Sequence, residues 1–166
     1  ILPFTASLPS TLTLKVAVFF SPTPVYPAYM VLSYKDGVVI LTDPVWLDNW
    51  VLKRFSALPF DPAILRDVNY ILISHDHRDH CDENTLRLLG ELIPEAKVLT
   101  GLNMSDLLKP WLPKNQIQEA GWFQSYDLKE SIRITYVPTR HWSRRGLTDT
   151  NQRLWGGYFI ETSDQS

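Results

Sequence analysis

Short stretches of alternating apolar and polar residues run along the chain, separated by apolar runs and by proline. Thr11-Leu12-Thr13-Leu14 alternates with the two-residue period of a half-buried strand. Pro3, Pro9, Pro22, Pro24 and Pro27 confine any strand or helix in the first segment to Leu12–Phe20. Tyr29–Tyr34 and Val38–Leu41 are rich in β-branched and aromatic residues, and Asp36-Gly37 between them is a hairpin signal. Trp46–Phe55 reads as a short helix or as an excursion that exposes Trp46, Leu47, Trp50 and Val51 to a groove. Asn69–Ser74 has a wholly apolar or aromatic centre and reads as a strand buried on both faces.

Asp82 is placed to cap a helix over Glu83–Ile93, whose Leu86, Leu89 and Ile93 share one face and which Pro94 stops. Lys97–Thr100 is a short strand. A further helical piece starts at Asn103 or Ser105 and is limited by Pro110 and Pro113. Ile117–Trp122, Ile132–Val137 and Trp155–Thr162 complete the strands. Strand–helix alternation after a β-rich start predicts an α/β (α+β) domain.

Composition narrows the function classes. The chain has 166 residues, 45% of them hydrophobic, which is enough for one domain with its own core. A net charge of −2 offers no basic field for nucleic acid. Cys81 is the single cysteine, so no intrachain disulfide forms. The apolar runs fall well short of the roughly 20 residues that a membrane span needs. The chain starts at Ile1, and no signal peptide is visible in it. The compartment is undetermined, with a cytoplasmic or membrane-associated location favoured.

The chemistry concentrates in Ser74-His75-Asp76-His77-Arg78-Asp79-His80, which holds three of the four histidines and follows a buried strand directly. In open α/β sheets ligands bind beyond the carboxyl ends of strands. Imidazole nitrogens with carboxylate oxygens suit zinc, and they also suit iron or manganese. His75 and His77, two apart, point the same way in extended geometry and can face one metal. His141 would complete a three-histidine set. Asp79 and His80 are adjacent and can be turned toward a second metal, with Asp79 also placed to orient a metal-activated hydroxide. One or two Zn2+ ions are therefore expected.

On His75, His77, Asp79 and His80 the chain resembles the metallo-β-lactamase superfamily, whose hallmark is H-x-H-x-D-H after a buried strand. Leu41-Thr42-Asp43-Pro44 is similar to the superfamily's upstream aspartate motif, which implies that Asp43 stands behind the ligands and holds one of them or the motif loop. Pro138-Thr139-Arg140-His141-Trp142-Ser143-Arg144-Arg145 and Asn151-Gln152-Arg153-Leu154-Trp155-Gly156-Gly157 resemble the branch that contains N-acyl-phosphatidylethanolamine-hydrolysing phospholipase D. The L-ascorbate-6-phosphate lactonases are more distant.

The resemblance implies an αββα sandwich. It also implies metal-dependent hydrolysis, with His75, His77 and His141 on one zinc and Asp79 and His80 on the other. The substrate implied is a phosphodiester, a phospholipid or another small molecule, and peripheral membrane contact is compatible with it. Relatives carry a Gly-His pair where this chain has Pro27-Ala28-Tyr29, and a leucine where it has Cys81, read here as a small hydrophobe. They also carry a bridging aspartate and a final histidine that residues 1–166 do not contain. The expectation is an N-terminal portion of a single hydrolase domain, roughly half of the sandwich plus adjoining strands, with the C-terminal half absent and activity of this portion alone in doubt.

Arg144 and Arg145 are candidates for gripping a phosphate, set against surface salt bridging. Trp142 and Trp155 are expected mainly in core packing. Asn151 and Arg153 are expected to fix the loop that presents His141. Trp46 and Trp50 are weighed between acyl-chain contact and groove packing. Two functions compete with phosphodiester hydrolysis: a lactonase or esterase acting on a small phosphorylated substrate, and a non-catalytic metal-binding module.

Overall fold

The computed structural model describes residues 15–19, 29–33, 37–46, 65–128 and 132–162. Six strands form one sheet: β1 (Lys15–Phe19), β2 (Tyr29–Ser33), β3 (Val39–Thr42), β4 (Tyr70–Ile73), β5 (Lys97–Gly101) and β6 (Ile117–Ala120). They lie side by side in chain order. β1–β2 and β2–β3 are antiparallel, whereas β3–β4, β4–β5 and β5–β6 are parallel. A second sheet pairs β7 (Ile132–Val137) with β8 (Gly157–Thr162), antiparallel. The helices are α1 (Glu83–Leu92) and α2 (Ser105–Leu108).

Period-two alternation divides the buried strands between two cores. Leu41, Ile71, Ile73 and Val98 face the helices and pack with Leu86, Leu89, Ile93 and Leu108. Ile40, Tyr70, Leu72 and Leu99 face the other way and pack with Ile132, Ile134, Tyr136 and Tyr126 under the second sheet. The result is a helix layer, a mixed sheet and a second sheet, three of the layers expected of the sandwich. Each fully buried Leu or Ile contributes about 1.5–3 kcal/mol by transfer from water.

Tyrosines tie the two sheets together at the site end. Tyr158 Oη lies 2.7 and 2.8 Å from the Ile73 and Leu99 carbonyls, which share its one proton, Tyr126 Oη donates to the Thr100 carbonyl at 2.8 Å, and Tyr136 Oη to the Ser74 carbonyl at 2.8 Å. Burial pushes all three phenols well above their ordinary range, so they stay protonated donors. Space for Tyr136 exists because Gly101 and Gly156 flank it. A Cβ added at either would lie 2.6–2.7 Å from the nearest Tyr136 or backbone atom.

Trp46 corrects an expectation: it is fully buried in the helix-side core and exposes nothing to a groove. Its backbone N–H reaches Thr85 Oγ1 at 2.8 Å. Leu47, Trp50 and Val51 lie outside the described residues, as does Asp36. Gly37 has φ 78°, the left-handed conformation that glycine tolerates. Among the described residues no helix is long and apolar enough to cross a membrane.

Candidate metal centre

The stretch from Ser74 leaves β4 at its carboxyl end, the edge of an α/β sheet at which ligands commonly bind. It turns at once: His80 and Cys81 N–H both donate to the His77 carbonyl, at 3.0 and 2.8 Å. The turn leaves His75 buried, His77 and His80 half-buried and the Asp79 side chain 52% exposed. His141 comes from the loop between β7 and β8. Its Nε2 lies 2.9 Å from His75 Nε2 and 3.2 Å from His77 Nδ1. All three ligand atoms fall within 4.8 Å of one another.

Those distances test whether a metal fits. Imidazole nitrogens bound to one ion at about 2.0–2.1 Å, at angles near 90–110°, sit about 2.9–3.4 Å apart. The two observed separations lie in that range, and the donor set is one that zinc, iron and manganese accept.

Hydrogen bonding aims the nitrogens. Asp43 Oδ1 accepts from Ser74 N–H at 2.7 Å. Asp43 Oδ2 lies 2.6 Å from Ser74 Oγ and 3.0 Å from His80 Nδ1. A carboxylate only accepts, so the single Ser74 hydroxyl proton goes to Asp43. Ser74 Oγ, 2.9 Å from His75 Nδ1, must then accept, which puts the proton of His75 on Nδ1 and the lone pair on Nε2, the atom facing His141. By the same logic His80 donates from Nδ1, and its Nε2 lies 3.8 Å from Asp79 Oδ2. Asp43 occupies a left-handed conformation, φ 40°, which aspartate tolerates better than most residues.

Electrostatics follows this arrangement. Burial, then the neighbouring His80, His77 and His141, lowers His75 to about 3, so its imidazole is neutral at neutral pH. Burial and His141 also lower His77. Burial pulls His80 down, but the Asp43 hydrogen bond and the Asp43 and Asp79 charges outweigh it and raise His80 above 6.5. His77 Nε2 is buried and without a hydrogen-bond partner among the described residues, and the ring lies edge-on to Trp142 with centroids 4.6 Å apart. Cys81 is fully buried, and burial pushes its thiol up to about 12, which fits a small hydrophobe rather than a ligand.

The arginine candidates are engaged by the protein itself. Arg144 Nε donates to the Gly146 carbonyl at 2.9 Å. Arg145 Nη1 donates to the Asp76 and Cys81 carbonyls at 2.9 and 2.8 Å, with its guanidinium 4.8 Å from the Trp111 ring centre. Trp142 departs from the core role expected of it: it is 46% exposed beside His77. Trp155 is partly buried against Trp122. Asn151 does brace the His141 loop, its N–H donating to the Ser143 carbonyl at 2.8 Å. Sequence reasoning missed Ser74 as the bridge between Asp43 and His75. It also missed the burial of Asp76, whose only signal was its place between two histidines.

Residues 39–166 match the family model for the beta-lactamase superfamily domain, and the chain belongs to that family. Among curated relatives it is similar to N-acyl-phosphatidylethanolamine-hydrolyzing phospholipase D 1 of Caenorhabditis elegans, 31% identical over 78% of this chain and 40% of that protein. It is 29% identical to the mitochondrial protein of the same activity name from Saccharomyces cerevisiae, over 84% of this chain and 32% of that one. Less than half the length of each relative is thus spanned.

Among solved structures, the metallo hydrolase Igni18 of Ignicoccus hospitalis aligns with a TM-score of 0.54 at 21% identity, covering 81% of this chain and 52% of that one. The isothiocyanate hydrolase from Delia radicum gut bacteria aligns with a TM-score of 0.55 at 17% identity, covering 84% and 57%. These two likenesses establish the fold.

Proposed function

We propose that the chain carries the histidine side of a metal-dependent hydrolase centre acting on a phosphodiester, in the manner of a phospholipase D. The observation that carries this reading is the convergence of His75, His77 and His141 ligand atoms within 4.8 Å, with His75 neutral and its Nε2 lone pair turned inward. The names of the worm and yeast relatives support a phospholipid substrate.

In this reading His75, His77 and His141 hold one ion, with zinc preferred and iron or manganese compatible. A metal bound there would polarise the substrate and bring a bound water's pKa down to about 7. Asp79, half-exposed and 3.8 Å from His80 Nε2, would accept a proton from that water and orient it. His80, held by Asp43 through Nδ1, would offer its other nitrogen, Nε2, to a second ion. The remaining ligands of that second ion are proposed to come from sequence outside residues 1–166, in which these residues form the N-terminal portion of one hydrolase domain. Trp142 offers an apolar wall beside His77 for a lipid substrate, consistent with peripheral contact with a lipid surface.

The test is metal analysis of the full-length protein purified without chelator, followed by assays on N-acyl-phosphatidylethanolamine and bis-p-nitrophenyl phosphate. Bound metal is expected, with hydrolysis that dipicolinate abolishes and that His77→Ala reduces to background. Metal-free protein, or hydrolysis undiminished in His77→Ala, would overturn the reading.

A further inference from the structure

His75 and His77 stand on a loop that leaves the first sheet, and His141 on a loop that leaves the second. Three imidazoles from two irregular loops converge only if something fixes one loop against the other. Asp76, between the two motif histidines, makes that connection. Its side chain is fully buried. Oδ1 accepts from the Arg144 N–H at 2.9 Å, just beyond His141. Oδ2 accepts from Arg153 Nη1 at 3.1 Å.

The same Arg153 nitrogen lies 2.8 Å from Asp149 Oδ2, and Asp149 Oδ1 accepts from the Arg145 and Gly146 N–H groups at 3.1 and 2.7 Å. One guanidinium therefore joins the motif loop to both limbs of the His141 loop. Ser143 adds a local brace, its hydroxyl donating to the Arg153 carbonyl.

A buried ion pair is a poor source of net stability, because desolvation cancels most of the attraction. A buried pair does supply direction, since a carboxylate removed from water is satisfied only where its partners stand. In this molecule the partners are a backbone N–H close to His141 and a cation on the return limb of the same loop.

We propose that Asp76 and Arg153 are positioning residues, a clamp on a buried carboxylate that seats His141 against His75 and His77 and so assembles the metal site from two loops. The proposal rests on the metal reading of the three histidines. It concerns neither Asp43 nor Ser74, which act on His75 and His80 from the other side.

The experiment is a cobalt(II) titration of the full-length protein, read by isothermal calorimetry and by visible d–d absorption, for wild type, His141→Ala, Arg153→Met and Arg153→Lys. Arg153→Met is expected to weaken cobalt binding about 10–100-fold, the usual effect of losing a group that orients a ligand. Its spectrum should move toward that of His141→Ala, and Arg153→Lys, which keeps a cation between Asp76 and Asp149, should restore most of both.

Wild-type affinity and spectrum in a folded Arg153→Met would overturn the clamp alone. Wild-type binding in His141→Ala would overturn the metal reading and the clamp together. Where Arg153→Met does not fold, Asp76→Asn replaces it, since it removes the clamp's buried charge and keeps an oxygen that can accept from the Arg144 N–H. A partial spectral shift supports the clamp there, and an unchanged spectrum overturns it.

Discussion

Ser74 carries more of the site than its size suggests, because its one hydroxyl proton decides which nitrogen of His75 is free. Ser74→Ala removes the acceptor at Nδ1 and frees the ring to change tautomer. Zinc affinity is expected to fall about 10-fold or more, while Ser74→Thr retains it, as calorimetric titration would record. Acidification of the metal-free protein tests the histidines themselves. His75 titrates near 3 in the fold against 6.5 ordinarily, so between those values the unfolded chain binds the extra proton. Stability should therefore hold above pH 6.5 and fall as pH drops toward 3, read as a declining urea midpoint. His80, raised above 6.5, works in the opposite sense and loses its contribution only as pH rises through its folded value. The histidine cluster and Asp43 were legible as residues, from spacing and from the motif. Ser74 and Asp76 were not, because a serine or aspartate in a loop reveals its partners only when chain segments distant in sequence are brought together.

Elements were legible where hydrophobic periodicity was strong. α1 runs Glu83–Leu92 with the expected Asp82 cap, whose Oδ2 accepts from Thr85 N–H at 2.8 Å. Leu89 is fully buried in the helix-side core, so Leu89→Ala should cost about 2–5 kcal/mol in chemical denaturation, where an unchanged midpoint would contradict the packing described. Strand ends were less legible, and the reasons are local. Gly156 sends its N–H to the Ser74 carbonyl at 3.1 Å instead of into the β7 ladder, so β8 begins at Gly157 rather than Trp155. Gly121 donates to Gln124 Oε1 at 2.8 Å in a turn, which ends β6 at Ala120 rather than Trp122. Trp46 was misplaced because no periodicity at the end of β3 distinguishes a tryptophan entering the core from one facing a groove.

At the scale of the whole molecule the site exists because two sheets stack face to face over a shared core, which brings their loops together at one end. Tyr136 and Tyr158 reach from the second sheet to carbonyls at the end of β4, and the β7–β8 loop then falls across the motif loop. Nothing in the alternation of either sheet states how they dock, which is why the sandwich and the pairing of His141 with His75 and His77 were expected from motif and family resemblance, and only the distances came from the structure. The central claim is that His75, His77 and His141 share one ion. X-ray absorption at the metal edge of the full-length protein loaded with one equivalent of zinc tests it most directly. The account predicts scattering from three imidazoles at about 2.0–2.1 Å, falling to two in His141→Ala. A first shell with fewer than three imidazoles in the wild type, or one that His141→Ala leaves unchanged, would contradict it.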